Sequence, residues 1–382
     1  VTTIGKGAFY ECGGLTSVTI PESVTTIKQE AFAWCSSLAT VYCKPTTPPT
    51  GGSSMFDYNA SDRKIYVPAS DDDSIIKAYK EASGWSEYKD YIFEDEPKPA
   101  NNEIWYTATA KVEPYKTDAF GATYLTNVWD SETGKGVITF SGDVTKIGDY
   151  AFRRCTSLTS VTIPDSVTTI GKYAFEDCAS LTSVNIPDSV TSIGGSAFDQ
   201  CTSLTSVIIP DSVTTIGGCA FWNCASLTSV TIPDSVTTIG NAAFIYCASL
   251  TSVTIGNSVT RIEENAFFRC ESLISVTIGD SVKTIGDSAF YYCTSLTSVT
   301  IPDSVTSIGR GAFDDCSSLK TVYCKPTTPP TGGSIMFTDN GAGRKIYVPA
   351  SDDDSIINAY KIADGWSDYA SYIEEYDFSA GQ

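Results

Sequence analysis

The chain of 382 residues contains no histidine. Without imidazole, catalytic sites built on Ser-His-Asp or Cys-His groups are excluded, and so are histidine metal sites. Basic residues are also few, because 25 lysines and arginines stand against 45 aspartates and glutamates, a net charge of −20. A protein this acidic lacks the basic surface that a phosphate backbone requires, so no nucleic-acid partner is expected.

Long hydrophobic runs are absent as well. No stretch reaches the roughly 18 apolar residues that a membrane-spanning helix needs, so we expect no transmembrane segment. Hydrophobic residues nevertheless make up 42% of the chain, which is enough for a large core and argues against disorder.

The chain is dominated by an internal repeat. An Ala-Phe pair recurs every 23 residues without insertion, and a cysteine follows each phenylalanine after three residues. Two more copies lie near the start, at Phe9 and Phe32. The phenylalanines of the uninterrupted series are Phe152, Phe175, Phe198, Phe221, Phe244, Phe267, Phe290 and Phe313.

One repeat contains two extended pieces and a turn. Val161 and Ile163 alternate with hydroxyl residues, the pattern of a β-strand. A turn at Pro164–Ser166 ends it, and a second short extended piece covers residues 167–170. The alanine, phenylalanine and cysteine of the next stretch, at residues 174–178, share one face of a predicted helical or 3₁₀ turn. A unit of 23 residues cannot bury these groups alone, so the repeats must stack into a solenoid.

The repeat pattern resembles the BspA-like leucine-rich repeat family of bacterial surface proteins. It covers residues 1–43 and 137–324. The resemblance implies an α/β leucine-rich-repeat solenoid with a parallel sheet arc, mostly β with short helical or 3₁₀ turns, displayed outside a bacterial cell. The motif reads Leu158-x-x-Val161-x-Ile163-Pro164, then Ile170-Gly171-x-x-Ala174-Phe175-x-x-Cys178.

A larger duplication is superimposed on the repeats. Residues 1–96 align without gaps on residues 282–377, an offset of 281 that matches Trp85 with Trp366. Because the chain opens within a repeat, we expect a fragment whose export signal lies upstream. The predicted segments are the end of a first repeat array at 1–43, its C-terminal cap at 44–96, a linker at 97–101, a β N-cap at 102–147, a second array at 148–324 and its C-terminal cap at 325–377.

Each array needs covers at its ends, since an open solenoid edge invites aggregation. In the second array, Ser351 is the predicted N-cap of a helix that runs to about Ala363, with three aspartates favouring its positive end. The β N-cap is predicted to end in the first solenoid strand, Val137–Phe140, because that segment aligns with the strand of the next repeat.

The cysteines and acids fit structural roles. Ten of the thirteen cysteines occupy the same apolar repeat position, so buried thiols are favoured over disulfides. No Cys-x-x-Cys pair occurs, so we expect no metal site, and no cofactor is indicated. The runs Asp71–Asp73 and Asp352–Asp354 lack the spacing of a known calcium loop. Acid pairs such as Glu176–Asp177 resemble a solvated acidic ledge more than a glycosidase pair.

Variation between repeats is concentrated in the two residues between phenylalanine and cysteine, which we call the variable face. They point away from the core residues and bring aromatic side chains of successive repeats together. Exposed aromatic patches often mark binding sites, although partial burial against neighbouring loops is an alternative. The candidate binding residues are Trp222, Tyr246, Phe268, Arg269, Tyr291 and Tyr292.

Since no catalytic set of residues can be assembled, we expect a non-enzymatic protein. The resemblance implies a protein at the cell surface or secreted that mediates adhesion or protein interaction. The expected partner is an extracellular protein or glycan on host or neighbouring cells. Two alternatives stay open: a carbohydrate-binding surface protein, since aromatic rings lie beside acids and amides, and a ligand-free structural spacer, since the module is duplicated.

Overall fold

The Val-x-Ile segments of successive repeats form short parallel strands in register. Val161 pairs with Val184, its equivalent 23 residues later, and Val230 pairs with Val253. Because each inward side chain rests on its own copy, the apolar residues form continuous columns. This computed structural model describes residues 1–61, 63–70, 72–94 and 98–379.

The chain divides into two units, Val1–Lys98 and Pro99–Gln382. This division falls within the predicted linker, of which Pro97 lies outside the described residues. The finer segment boundaries stay predictions. The strands of the first unit are Thr3–Ile4, Ser17–Ile20, Thr26–Ile27, Thr40–Cys43, Thr50–Gly51, Lys64–Val67 and Ile92–Glu94.

The second extended piece of each repeat forms a parallel sheet of its own. Over residues 169–332, all of which are described, these two-residue strands make one eight-stranded sheet. Ile147 extends the same column through a single bridge to Ile170. The strands are Thr169–Ile170, Ser192–Ile193, Thr215–Ile216, Thr238–Ile239, Arg261–Ile262, Thr284–Ile285, Ser307–Ile308 and Thr331–Gly332.

In the second unit, the column of Val-x-Ile strands is less continuous than the column of two-residue strands. The segment around Val207 carries the expected pattern but is not a regular strand, and the column divides into separate sheets. The strands of this column are Leu158–Thr162, Ser183–Asn185, Ser229–Ile232, Ser252–Ile255, Ser275–Thr277, Ser298–Ile301, Thr321–Cys324, Lys345–Pro349 and Ile373–Tyr376.

The N-terminal cap of the second unit differs from the prediction. It contains three antiparallel strands, Glu103–Ala108, Tyr124–Trp129 and Lys135–Phe140. The strand Glu103–Ala108 lies between Lys135–Phe140 and the first repeat strand, Leu158–Thr162. The expectation that Val137–Phe140 is the first solenoid strand was therefore wrong, because an inserted antiparallel strand covers the sheet edge instead.

Each unit ends in a helical cap. The α-helices are Ser74–Glu81 and Ser355–Ile362, and the 3₁₀ helices are Ser86–Tyr91 and Ser367–Tyr372. The predicted N-cap was wrong by three residues: Asp354 occupies this position at positive φ, without a side-chain cap bond. Ser351 still contributes, since its Oγ accepts a hydrogen bond from the Ile356 N–H.

Stacked phenylalanines run through the core. Ring centroids of neighbours from Phe152 to Phe313 lie 5.0 to 5.3 Å apart. The first repeat of the chain is the exception to predicted burial, since Phe9 is 40% exposed and Cys12 is exposed. With its parallel strands and terminal caps, the predicted fold class is confirmed. None of the helices in the described part of the chain is long and apolar enough to cross a membrane.

Candidate functional site

The variable face is built on a chain of tight turns. In one repeat, the N–H of Glu176 donates to the Tyr173 carbonyl, and the N–H of Cys178 donates to the Phe175 carbonyl. Two residues per repeat adopt positive φ, here Tyr173 at 57° and Asp177 at 59°. This left-handed geometry is unusual for side chains other than glycine, and it interrupts the segment before a helix can form.

Hydrogen bonds between repeats hold these turns together. The N–H groups of Tyr173, Phe175 and Asp177 donate to carbonyls of the next repeat at 3.0, 2.7 and 2.8 Å. The same pattern recurs along the unit, so equivalent side chains align in two columns. The columns are Arg153, Glu176, Asp199, Trp222, Ile245, Phe268, Tyr291 and Asp314, and Arg154, Asp177, Gln200, Asn223, Tyr246, Arg269, Tyr292 and Asp315.

The candidate binding residues form one contiguous surface in the middle of the columns. The ring centroids of Trp222 and Tyr246 lie 6.5 Å apart, and those of Tyr246 and Phe268 lie 5.8 Å apart in an edge-to-face arrangement. Phe268 stacks on Tyr291 at 5.0 Å, and Tyr291 lies 6.1 Å from Tyr292. Each ring therefore contacts the next across the two columns.

Arg269 completes this surface. Its guanidinium lies over the Tyr292 ring, 4.6 Å from the centroid, a cation–π geometry. Tyr246 is 38% exposed, whereas Trp222 and Phe268 are partly buried by their neighbours. The structure thus brings all six candidate residues together, and Tyr246 is the most open to solvent among them, while the other five are partly buried.

Charged pairs border the aromatic surface on its N-terminal side. Arg153 forms a salt bridge with Glu176, and Arg154 lies 3.4 Å from Asp177. In the next repeat, burial and the neighbouring Glu176 raise the pKa of Asp199 to about 6. The Oδ1 of this carboxyl group is buried without a hydrogen-bond partner among the described residues.

Three carboxylates border the other side. Ligand atoms of Asp314, Asp315 and Asp339 lie within 4.8 Å of one another. The prediction that every variable pair faces solvent was wrong for Asp314, which is 7% exposed and accepts a hydrogen bond from the Asp315 N–H. The hydrogen bond that Tyr291 makes with the Asp315 carboxylate raises the pKa of the tyrosine.

Apart from exposed Cys12, the repeat cysteines are buried, and they donate hydrogen bonds to backbone carbonyls. The thiol of Cys201 donates to the Phe175 carbonyl at 3.2 Å, and the same contact recurs between successive repeats. Burial raises the pKa of Cys247 to about 12. Cys219, which occupies a variable position, is partly buried.

The triple acids lie at helix starts rather than in a calcium loop. The carboxylate of Asp72 accepts a hydrogen bond from the Ser74 N–H, and Asp353 accepts one from Ser355. The pKa of both carboxyl groups is lowered, first by hydrogen bonds with the hydroxyl groups of Ser74 and Ser355 and then by those with the N–H groups. Asp71 lies outside the described residues.

Two features were missed from the sequence. An open groove of about 480 Å³ lies where Gly256 and Gly279 replace the usual proline. It lies on the outward side of the Val-x-Ile strands, which we call the strand face. In the first unit, Trp34 and Tyr58 stack at 4.1 Å and are 47% and 64% exposed. Both were visible as departures from the repeat pattern, the glycines at a proline position and the aromatics at a variable one.

The model of the BspA type leucine rich repeat region matches six copies, at residues 1–93, 135–251 and 237–354. The chain belongs to this family. Its BspA-type repeats supply the strand columns, and the variable face is one of the parts of each repeat that the motif leaves free. No curated protein matches the chain.

Solved structures of bacterial leucine-rich repeat proteins are similar to this BspA-type chain. One from Bacteroides ovatus is 24% identical, with 99% of this chain and 88% of that chain covered and a TM-score of 0.47. A leucine-rich cell surface protein from Faecalibacterium prausnitzii is 26% identical, with 94% and 85% covered and a TM-score of 0.37. A T. pallidum leucine-rich repeat protein is 28% identical, with 48% and 91% covered and a TM-score of 0.40.

Proposed function

We propose that this chain is part of a bacterial surface protein that binds proteins of host or neighbouring cells through the aromatic surface of its second unit. One observation carries the proposal: the candidate residues, from Trp222 to Tyr292, form a continuous chain of ring contacts. The core positions of the repeat hardly vary, whereas the pair before Ala-Phe also changes between repeats, from Lys172–Tyr173 to Asp287–Ser288, without bringing a comparable series of aromatic residues together.

Chemistry favours a protein partner for this surface. Tryptophan, tyrosine and arginine are the residue types that most often dominate binding energy at protein interfaces. Here Arg269 is already held over Tyr292, so binding would order few additional side-chain torsions. The charged pairs at one border, Arg153–Glu176 and Arg154–Asp177, supply a polar rim. The mechanism is binding without catalysis.

The test is a triple substitution in the complete chain, Trp222→Ala, Tyr246→Ala and Tyr291→Ala. Binding to immobilised extracellular matrix proteins and to bacterial surface extracts is measured by surface plasmon resonance. A matched control substitutes exposed hydroxyl residues of the strand face: Thr231→Ala, Thr254→Ala and Thr277→Ala. We expect at least a tenfold loss of affinity for the aromatic variant, as for loss of interface hot spots, and little change for the control.

Unchanged binding by a folded aromatic variant would remove this surface from the function. Loss of binding in the control alone would place the site on the strand face, near the groove at Gly256. If neither set of substitutions has an effect but the number of repeats does, the solenoid acts as a spacer.

A glycan ligand is the second candidate for the same surface. The amide of Asn223 donates to the Gln200 side chain at 2.8 Å, beside Trp222 in the same repeat. Aromatic rings next to amide groups suit sugar stacking and hydroxyl hydrogen bonds. A glycan array distinguishes the two candidates, because retention of a glycan by the parent and not by the triple variant would favour this one.

A further inference from the structure

A second polar site lies in the C-terminal cap of the second unit, apart from the aromatic surface that carries the proposed function. An open hollow of about 380 Å³ is present there. Seven of its eight lining residues carry a polar group, two of them as tyrosines, and one is aliphatic. The lining residues are Ile335, Thr338, Asp339, Asn340, Arg344, Asp368, Tyr369 and Tyr372.

Arg344 is fixed in place without an acceptor. Its guanidinium lies 4.2 Å from the centroid of the Tyr372 ring and 5.6 Å from that of Tyr369. Its Nε is buried without a hydrogen-bond partner, and within the described part of the chain its guanidinium forms no ion pair. A guanidinium that is already oriented and unpaired is a preorganised donor.

Asn340 is oriented by the backbone. Its Oδ1 accepts a hydrogen bond from the Cys316 N–H at 3.2 Å, which directs the amide nitrogen away from that contact. This Nδ2 is buried and has no partner among the described residues. Two unpaired donor groups therefore belong to residues that line one hollow, against the rule that buried polar groups are paired.

A related arrangement occurs in the first unit, although the Arg63 guanidinium there donates a hydrogen bond to the Ala60 carbonyl at 3.5 Å. Arg63 lies 4.1 Å from the Tyr91 centroid, and the Nδ2 of Asn59 is again unpaired while its Oδ1 accepts from the Cys35 N–H. Asn59 is 9% exposed. The rim has diverged between the copies, because Asp339 in the second unit corresponds to Tyr58 in the first. The stacked arginine and the unpaired asparagine amide have thus been kept, while the rim and the pairing of the guanidinium differ, so the first unit is not expected to bind the same ligand.

The charges of the hollow select its ligand. One cation, Arg344, is outnumbered by Asp339 and Asp368 at the exposed rim, and Asp339 lies beside the two further carboxylates of Asp314 and Asp315. An anionic ligand would meet net repulsion. A peptide needs an apolar pocket for an anchoring side chain, and Ile335 is the single aliphatic residue in the lining.

We propose that this hollow binds a neutral sugar residue of a polysaccharide. Sugar hydroxyls both donate and accept, so they match the donors of Arg344 and Asn340 together with the carboxylate acceptors of Asp339 and Asp368. The tyrosine rings supply apolar surface for the carbon skeleton of the sugar.

The test uses the complete chain in affinity gel electrophoresis with mannan, xylan and β-glucan, and with polygalacturonate as the anionic comparison. Arg344→Met removes the guanidinium and keeps a stem over Tyr372. Asp339→Asn changes an exposed acceptor with little risk to the fold. The matched control is Arg63→Met, the same substitution at the equivalent position of the first unit.

We expect one of the neutral polysaccharides to retard the parent protein. Arg344→Met should weaken retardation roughly tenfold, as for loss of a charged hydrogen bond, and Asp339→Asn should weaken it several-fold. Arg63→Met and the triple aromatic variant should leave it unchanged. If Arg344→Met fails to fold, Asp339→Asn decides the outcome.

Four results would overturn the proposal. Two concern the parent protein: no retardation by any neutral polysaccharide, or retardation by polygalacturonate alone. The other two concern the variants: unchanged retardation of folded Arg344→Met and Asp339→Asn, or a loss of retardation in Arg63→Met as large as that in Arg344→Met. Loss in the triple aromatic variant alone would move glycan binding to the aromatic surface. These outcomes are distinct from failure of protein binding at that surface, which is measured separately.

Discussion

The thiol of Cys224 donates a hydrogen bond to the carbonyl oxygen of Phe198, one repeat earlier, at 3.2 Å. The buried thiol is thus both a small apolar group and a partner for the backbone of the preceding turn. Burial raises the pKa of Cys224 well above its ordinary value. The repeat cysteine therefore connects neighbouring repeats while remaining in the unreactive thiol form.

We expect native-state thiol labelling to follow burial. With Ellman's reagent at pH 8, exposed Cys12 should react rapidly and Cys219 slowly, since burial raises the pKa of Cys219. The other eleven cysteines are buried and should react only after unfolding in guanidinium. Mass spectrometry of labelled peptides assigns each site. Labelling of native Cys247 as fast as Cys12 would contradict the buried assignment.

The stacked phenylalanines should differ in their contribution to stability according to position. Phe221 is fully buried between Phe198 and Phe244, so Phe221→Ala should lower the free energy of unfolding by about 3–5 kcal/mol. Phe9 is 40% exposed and has one ring neighbour, so Phe9→Ala should cost on the order of 1–2 kcal/mol. Guanidinium unfolding monitored by circular dichroism measures both. Equal losses would mean that stacking between repeats does not set the stability.

The repeat chemistry explains why much of the fold was predictable. Cys201 and Phe198 are buried as expected because every repeat places the same residue types against their copies. Residues 104–112 carry the pattern of a strand, and the structure has the strand Glu103–Ala108 there. Its antiparallel pairing between two other strands was not predictable, since that depends on distant contacts that a periodic pattern does not record. Nor does the residue type reveal the positive φ of Tyr173.

The sequence predicted which residues of the candidate site lie together, but it did not predict how far each side chain is exposed to solvent. Equal spacing places Trp222 and Tyr246 side by side, which the structure reproduces. Their partial burial depends on side-chain rotamers, and the burial of Asp314 depends on its hydrogen bond to the Asp315 N–H. The cap hollow requires Arg344 to meet Tyr372 across 28 residues, a contact outside any repeat.

The cap tryptophan should stabilise the second unit through its indole nitrogen. Trp366 Nε1 donates to the Pro330 carbonyl at 2.7 Å in a buried setting. Trp366→Phe keeps an aromatic ring but leaves that carbonyl without its donor, so we expect a loss of about 1–3 kcal/mol. Hydrogen exchange of the strand Thr321–Cys324 should report the weakened cap. Trp105→Phe is the control, because the indole of Trp105 donates to the partly exposed Glu103. Its loss of unfolding free energy should be smaller. A loss as large as that of Trp366→Phe would argue against burial as the reason.

Asp199 should make the stability of the second unit depend on pH. Its carboxyl has a pKa raised to about 6 by burial first and then by Glu176. For a raised pKa, the folded state holds the proton more tightly than the unfolded chain. The stabilising contribution is therefore complete below about pH 4 and is lost as the pH rises through about 6.

Asp199→Asn removes this titration while keeping the shape of the side chain. At pH 7.5 the variant should be more stable than the parent by about 1 kcal/mol, a value discounted for the partial exposure of the group. At pH 4 the two proteins should unfold at the same urea concentration, because the parent carboxyl is then protonated. If Asp199→Asn were equally stabilised at both pH values, ionisation of Asp199 would not be the cause. The control is Asp211→Asn, which changes an exposed aspartate in the turn after the next strand segment.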